Sequence, residues 1–257
     1  MITAITRAVS PEINQCELGF QPRDPIDVPK AIEQHGRYLA ALRDLGAEVI
    51  TLNAEPGMPD GMFVEDPALV VDEAAVMTRM GAESRRREGE RLSTMLARFR
   101  KLRWIREPAT LEGGDVLRIG RTLYVGFSRR TNQAGIDQLA ELLRPSGYTV
   151  QAVPVRGCLH LKSGCCALRD RVLLANRAWI DTAHFDGFEI VDVPPEEPGA
   201  ANVLTIGNTT LVPASFPRTA ELVSRLGFQV RSLDISELQK AEAGLTCCSL
   251  LFETEGE

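Results

Sequence analysis

A cysteine that attacks an electron-poor carbon does so as its thiolate. It needs a histidine to exchange protons with the reacting groups and a carboxylate to orient and charge that histidine. The run Gly244-Leu245-Thr246-Cys247-Cys248-Ser249 offers such a cysteine in Cys247, and the chain has only three histidines to serve it. His160, in Gly157-Cys158-Leu159-His160-Leu161-Lys162-Ser163, has the most distinctive surroundings of the three, and Leu111-Glu112-Gly113-Gly114-Asp115 presents a carboxylate in a glycine-rich turn. A Cys247/His160/Glu112 set is therefore available for covalent chemistry on carbon. Each member also has a plainer reading. Cysteine is among the most buried residue types, so Cys16, Cys158, Cys165, Cys166 and Cys248 are read as packing residues. A zinc site would have to use Cys158, His160, Cys165 and Cys166. Adjacent cysteines on a strand point to opposite faces and no Cys-x-x-Cys pair is present, so neither a metal nor a cofactor is expected. His35, in a helical pattern, and His184, in a loop-like stretch, are expected at the surface. Arg85-Arg86-Arg87 followed by Glu88 reads on its own as a solvated helix start, and Glu112 to Asp115 reads equally as a tight turn.

The elements that must position these residues follow one pattern. Four hairpins turn at Asp72-Glu73, Gly120-Arg121, Asp170-Arg171 and Gly207-Asn208, between runs such as Val116-Leu117-Arg118-Ile119 and Thr122-Leu123-Tyr124-Val125. Two-residue turns rich in Gly, Asn and Asp between leucine-rich and β-branched runs are a strong hairpin signal. Helical patterns over Ser84 to Arg100, Gln133 to Leu143 and Pro217 to Leu226 follow three of the hairpins, and another over Pro29 to Leu45 precedes the first. A short strand comes next, as in Glu48 to Leu52, Thr149 to Val153 and Gln229 to Leu233. Ile2 to Thr6 and Cys248 to Phe252 are left as orphan strands that can pair to close a fifth unit. The expected fold is thus a closed ring of five α/β units in a single domain over residues 1–257. Pro194 to Pro198 reads as a surface loop. The chemistry-bearing residues gather immediately before the hairpins: Asp60 to Asp66, Glu112 to Asp115, His160 to Ser163, and Cys247 before the last strand. In a ring, equivalent positions converge on the axis and form one central pocket.

The composition is that of a globular protein, with 44% hydrophobic and 25% charged residues and no apolar run near the ~18 residues of a membrane helix. The net charge of -6 gives no footprint for nucleic acid or an anionic membrane and favours a small cationic substrate. The N-terminal stretch is too weakly apolar for a secretory signal. The expectation is a cytoplasmic protein with reduced cysteines, monomeric or homodimeric.

At the residues before the hairpins the sequence resembles the dimethylarginine dimethylaminohydrolases of the pentein, or guanidine-modifying, superfamily. The matching segments span essentially the whole chain: Asp60-Gly61-Met62-Phe63-Val64-Glu65-Asp66, Ser84-Arg85-Arg86, Glu112-Gly113-Gly114-Asp115-Val116, Ser128-Arg129-Arg130-Thr131-Asn132, Leu159-His160-Leu161-Lys162-Ser163 and Leu245-Thr246-Cys247-Cys248-Ser249. The resemblance implies a five-bladed ββαβ propeller. It implies Cys247 as nucleophile, His160 as general acid and base, and Glu112 as its carboxylate partner. It also implies Glu65 and Asp66 as ligands of a substrate guanidinium, Arg85 and Arg130 as ligands of its α-carboxylate, and Asp60 with the Leu18 main chain as the α-amino site. The implied activity is hydrolysis of Nω-methylated arginine to citrulline and a methylamine. Arginine deiminases share several of these segments but typically carry a helical insertion that does not interrupt the repeats here. The remaining alternatives are another alkylguanidine hydrolase, a non-catalytic propeller that only binds, and a redox or metal sensor built on the vicinal cysteines. Residues 15–25 are a candidate lid over the site.

Overall fold

The computed structural model describes residues 1–254. Its strands form five three-stranded sheets of one topology. A central strand pairs antiparallel with an inner strand and parallel with an outer one. The sheets are β3 (Ala68–Val70), β4 (Ala74–Met77) and β5 (Lys101–Trp104); β6 (Val116–Ile119), β7 (Thr122–Phe127) and β8 (Thr149–Pro154); β9 (Cys165–Arg169), β10 (Val172–Ala175) and β11 (Glu189–Asp192); β12 (Leu204–Ile206), β13 (Thr209–Pro213) and β14 (Gln229–Leu233). The fifth closes the ring. β1 (Ile2–Arg7) runs parallel to β2 (Ala47–Leu52) and antiparallel to β15 (Leu250–Glu253), with Ile2 opposite Glu253 and Ile5 opposite Leu250. The two expected orphan strands therefore pair with each other. Inner strands of neighbouring blades touch, β15 with β3, β6 with β9 and β9 with β12, so the inner strands surround a central axis.

A parallel partner requires a crossover, and in four blades it is a helix. These are α1 (Val28–Asp44), α2 (Gly89–Leu96), α3 (Gln133–Leu143) and α5 (Pro217–Arg225). Local capping explains their starts. The Asp27 side chain accepts from Lys30 N at the head of α1, and Asn132 accepts from Gly135 N at the head of α3. The helix expected over Ser84 to Arg100 is shorter. A 3-10 turn at Glu83–Arg85 precedes it, because Arg85 turns inward to ion-pair with Glu88 instead of continuing a solvated helix. Between β10 and β11 a loop with a 3-10 turn at Thr182–His184 replaces the helix. Pro194 to Pro198 is the expected surface loop except at Glu197. Its buried carboxylate accepts from the N–H groups of Arg218 and Thr219 and from Thr219 Oγ1 at 2.9, 2.8 and 2.7 Å, capping α5.

Helices pack on the sheets through five clusters of buried apolar side chains, among them Tyr38, Leu42 and Met62 in one and Val125, Leu139 and Leu143 in another. His184 is exposed, as expected, but His35 is buried. It lies on the inward stripe of α1 with Ala31, Tyr38 and Leu42, and burial pulls its pKa down to about 4, so it packs as a neutral ring. No helix among the described residues is long and apolar enough to cross a membrane.

Candidate active site

The segments that precede the inner strands meet at one end of the axis. Glu112 ends an extended segment before the 3-10 turn Gly113–Asp115, and His160 stands at the head of α4 (Leu161–Gly164), a single turn before β9. His160 Nε2 and Glu112 Oε2 are 2.7 Å apart. The other Glu112 oxygen accepts from Gly81 N at 2.9 Å, Ala82 N at 3.3 Å and Arg130 Nη1 at 3.4 Å, so the carboxylate is fully buried and fully engaged. Burial opposes its ionisation, but the His160 hydrogen bond and charge, with Arg85 and Arg130 behind them, hold its pKa at about 2. For His160 burial likewise works against charge. The fields of Asp66, Asp115 and Glu112 outweigh it and raise the imidazole to about 9. With Nε2 committed to Glu112, Nδ1 faces Asp66 Oδ1 at 3.8 Å.

Asp115 ties this pair to its neighbours. It accepts from Leu161 N at 2.9 Å, Ser128 Oγ at 2.6 Å and Thr131 Oγ1 at 2.7 Å. The turn before β6, the turn after β7 and the head of α4 thus share one buried carboxylate. Between them Gly114 has no room for a side chain. A Cβ there would lie 2.6 Å from His160 Nδ1 and 2.7 Å from Asp66 Oδ1.

Cys247 sits in the 3-10 turn Thr246–Cys248 before β15. It is the partly exposed member of the six cysteines, and the other five are buried, in line with their reading as packing residues. Its carbonyl accepts from Glu65 N at 3.4 Å and its sulfur from Gly244 N at 3.4 Å. Loss of water pushes the thiol well above its ordinary pKa, and the fields of Glu65 and Asp66 push it further. Two acids therefore flank the thiol. Glu65 ion-pairs with Lys162 Nζ at 2.5 Å and accepts from Thr246 Oγ1 at 2.8 Å. Asp66 accepts from Gly114 N at 3.1 Å and pairs with Arg85 Nη1 at 2.9 Å.

Arg85, only 4% exposed, spends three of its donors on Asp66 and Glu88 and lies 4.0 Å from Asp60. Two of a guanidinium's five donors remain. Asp60 accepts from Glu17 N through both oxygens, at 3.0 and 3.2 Å, which brings the neighbouring Leu18 to the same rim. Leu18 itself is half-buried. The structure therefore gathers Leu18, Asp60, Glu65, Asp66, Arg85, Glu112, Arg130, His160 and Cys247 at one end of the ring. Asp66, Glu112 and His160 also present ligand atoms within 4.8 Å of one another. With an imidazole raised to about 9 and Arg85 and Arg130 on the acids, that trio is built around positive charge already in place, a poor donor set for a cation.

Sequence reasoning did not single out Asn202, a buried residue before β12. It accepts from Thr246 N at 3.0 Å, donates to Thr246 Oγ1 at 3.1 Å and donates to Lys162 O at 3.0 Å, bracing the Cys247 turn. Its place immediately before the fourth hairpin was the available signal. Lys162, Asp115 and Thr246 lie in the segments that resemble the family but carry no implied role there. A cavity of about 310 Å³ lies among the inner strands. All five inner strands line it, and Glu65, Lys162 and Thr246 are among its walls.

Residues 10–222 match a family described as N,N dimethylarginine dimethylhydrolase, eukaryotic. The chain is 41% identical over 249 residues to the N(G),N(G)-dimethylarginine dimethylaminohydrolase of Streptomyces coelicolor, covering 96% of this chain and 95% of the relative. It is 38% identical over 228 residues to the Pseudomonas aeruginosa protein of the same name, covering 88% and 90%. A solved structure of the Pseudomonas aeruginosa protein, a cysteine-to-serine variant in complex with citrulline, superposes with a TM-score of 0.93 at 35% identity, over 97% of this chain and 98% of that one.

Proposed function

The chain belongs to the dimethylarginine dimethylaminohydrolase family, and on that premise we propose that it hydrolyses Nω-methylated L-arginine to L-citrulline and a methylamine. One observation supports the reading: Cys247, the His160–Glu112 pair and the adjacent acids Glu65 and Asp66 lie close together in a fold of pentein type. A guanidinium is planar and is gripped best by carboxylates in its plane. Arg130 and the two free donors of Arg85 are suited to the substrate's α-carboxylate, and Asp60 with the Leu18 carbonyl to its α-ammonium.

In the free site the thiol is neutral and the imidazole is charged. A bound guanidinium offsets the negative field of Glu65 and Asp66 that holds the thiol up, so the substrate promotes formation of its own nucleophile and the thiol proton leaves to solvent. The Cys247 thiolate then adds to the guanidinium carbon. His160, through the nitrogen not held by Glu112, protonates the methylated nitrogen as its bond to carbon breaks, leaving a thiouronium on Cys247. Neutral His160 next takes a proton from water. The resulting hydroxide adds to the same carbon, and the C–S bond breaks as the hydroxyl proton is lost to solvent, to give the ureido group of citrulline and the thiolate. No step requires a metal or cofactor.

The test is turnover of asymmetric dimethylarginine, monomethylarginine, arginine and agmatine, reading ureido product and released amine. The two methylated amino acids should be the best substrates. Equal turnover of arginine would assign the chain to deimination instead, and no turnover of any would remove the enzymatic reading.

A further inference from the structure

The segment from Asn14 to Ile26 leaves and re-enters the fold at one place. Asn14 closes its base, donating from Nδ2 to Ile26 O at 3.0 Å and accepting from Ile26 N at 2.8 Å. Arg23 reaches back to Asn14 O and Cys16 O at 2.5 and 2.6 Å. Glu17 N is held by Asp60, and Pro25 O accepts from Lys240 Nζ at 2.9 Å. The tip is held differently. The consecutive N–H groups of Gly19, Phe20 and Gln21 converge on the carboxylate of Glu242, Gly19 at 3.0 and 3.1 Å, Phe20 at 2.5 Å and Gln21 at 2.6 Å. A concave run of main-chain N–H groups is suited to an anion, and such charge-assisted bonds are the stronger kind.

Glu242 reaches the tip from an unusual backbone. At φ +58° it is, with Arg171, one of two non-glycine residues with positive φ among the described residues, a conformation that costs about 1 kcal/mol or more. Two residues later Gly244 N donates to the Cys247 sulfur. One carboxylate therefore ties the strap to the loop that carries the nucleophile. Leu18 immediately precedes the three donors.

We propose that Glu242 is a positioning residue: its carboxylate latches the main chain of residues 19–21 to the Cys247 loop and so fixes the Leu18 carbonyl where the substrate's α-ammonium binds. The role assigned to Leu18 rests on the proposed function, whereas the latch itself is a property of the free protein. Release of the tip would also open the adjoining cavity of about 280 Å³, which Phe20, Leu159, Trp179 and Phe216 help to line. The latch acts on substrate binding and leaves Cys247 and His160 in place, so its loss falls on KM and spares kcat.

The experiment compares wild type with Glu242→Gly, which accepts the left-handed backbone without the side chain, and Glu242→Gln, which keeps the length and one acceptor oxygen. Hydrogen exchange of the amides at 19–21 is read in the free protein. KM and kcat are read for monomethylarginine and for 5-(methylguanidino)pentanoate, its analogue without the α-amino group. In Glu242→Gly the three amides should exchange at least about tenfold faster, and KM for monomethylarginine should rise about tenfold with kcat within about twofold. Glu242→Gln should fall between, and KM for the des-amino analogue should not move. Unchanged exchange at 19–21 would overturn the latch. So would an unchanged KM, an equal rise on both substrates, or a collapse of kcat. If wild type turns over neither compound the proposed function fails, and the exchange rates alone decide the latch.

Discussion

His160 is charged because three carboxylates outweigh its burial, and the sign of that balance sets two pH dependences. Its pKa of about 9 lies above the ordinary 6.5 of an unfolded chain. The stability it contributes is therefore fully present below pH 6.5 and is lost as pH rises through about 9. Urea midpoints should fall between pH 6.5 and 9.5 in wild type and by less in His160→Gln, and parallel declines would show that other groups are responsible. The same proton serves the leaving amine, so kcat should fall on the alkaline side. At Cys247 the pKa also moves up, but there burial works with the carboxylates: lost water, Glu65 and Asp66 all hold the proton on the thiol. An unreactive cationic arginine analogue should lower its apparent pKa, read as alkylation rate against pH with Cys247→Ser as background. An unmoved titration would remove the electrostatic basis of the proposed mechanism. Cys247→Ser should abolish turnover. Cys248→Ser should keep most of it, since the buried Cys248 thiol only donates weakly to Gly244 O at 3.7 Å. Comparable losses in the two variants would undo the assignment.

At the scale of elements the site depends on how closely three turns approach. Gly114→Ala places a methyl against both His160 and Asp66, and misplacement of this order costs about 100-fold in rate. We expect kcat/KM to fall by about that factor, and activity within a few-fold of wild type would show that the turn gives way freely. The hairpins were legible because a two-residue turn between alternating runs is local chemistry, and Asp72-Glu73, Gly120-Arg121, Asp170-Arg171 and Gly207-Asn208 all join paired strands. Convergence of the segments before them followed from repetition. Tertiary partners were less legible. Arg85 reads as a solvated residue until Asp66 and Glu88 are seen around it. His35 looks polar until its face of α1 is known. Asn202, in an otherwise apolar stretch, acquires meaning only from Thr246 and Lys162. Glu242 likewise shows nothing in sequence of the three donors it gathers from more than two hundred residues away.

For the molecule as a whole, the first and last strands share one sheet. Phe252 in β15 packs edge-on against Phe99 at 5.4 Å, with the Arg100 guanidinium over its ring at the same distance. Phe252→Ala should destabilise the protein by about 3–5 kcal/mol, measured by urea unfolding, and a much smaller loss would show that the β1–β15 seam contributes little. The seam has one more consequence. Met1 N donates to Thr254 O at 2.9 Å and Thr254 N to Met1 O at 2.8 Å, so the two ends of the described chain lie side by side. A ring joined this way can be opened at an exposed turn instead. A circular permutant, joined by a short Gly/Ser linker across residues 254 and 1 and opened at the exposed Asp186-Gly187 turn, would keep every blade and rotate the order of its chemistry, with Cys247 synthesised before Glu112 and His160. The order in which those residues occur along the chain then records only where the circle happens to be open.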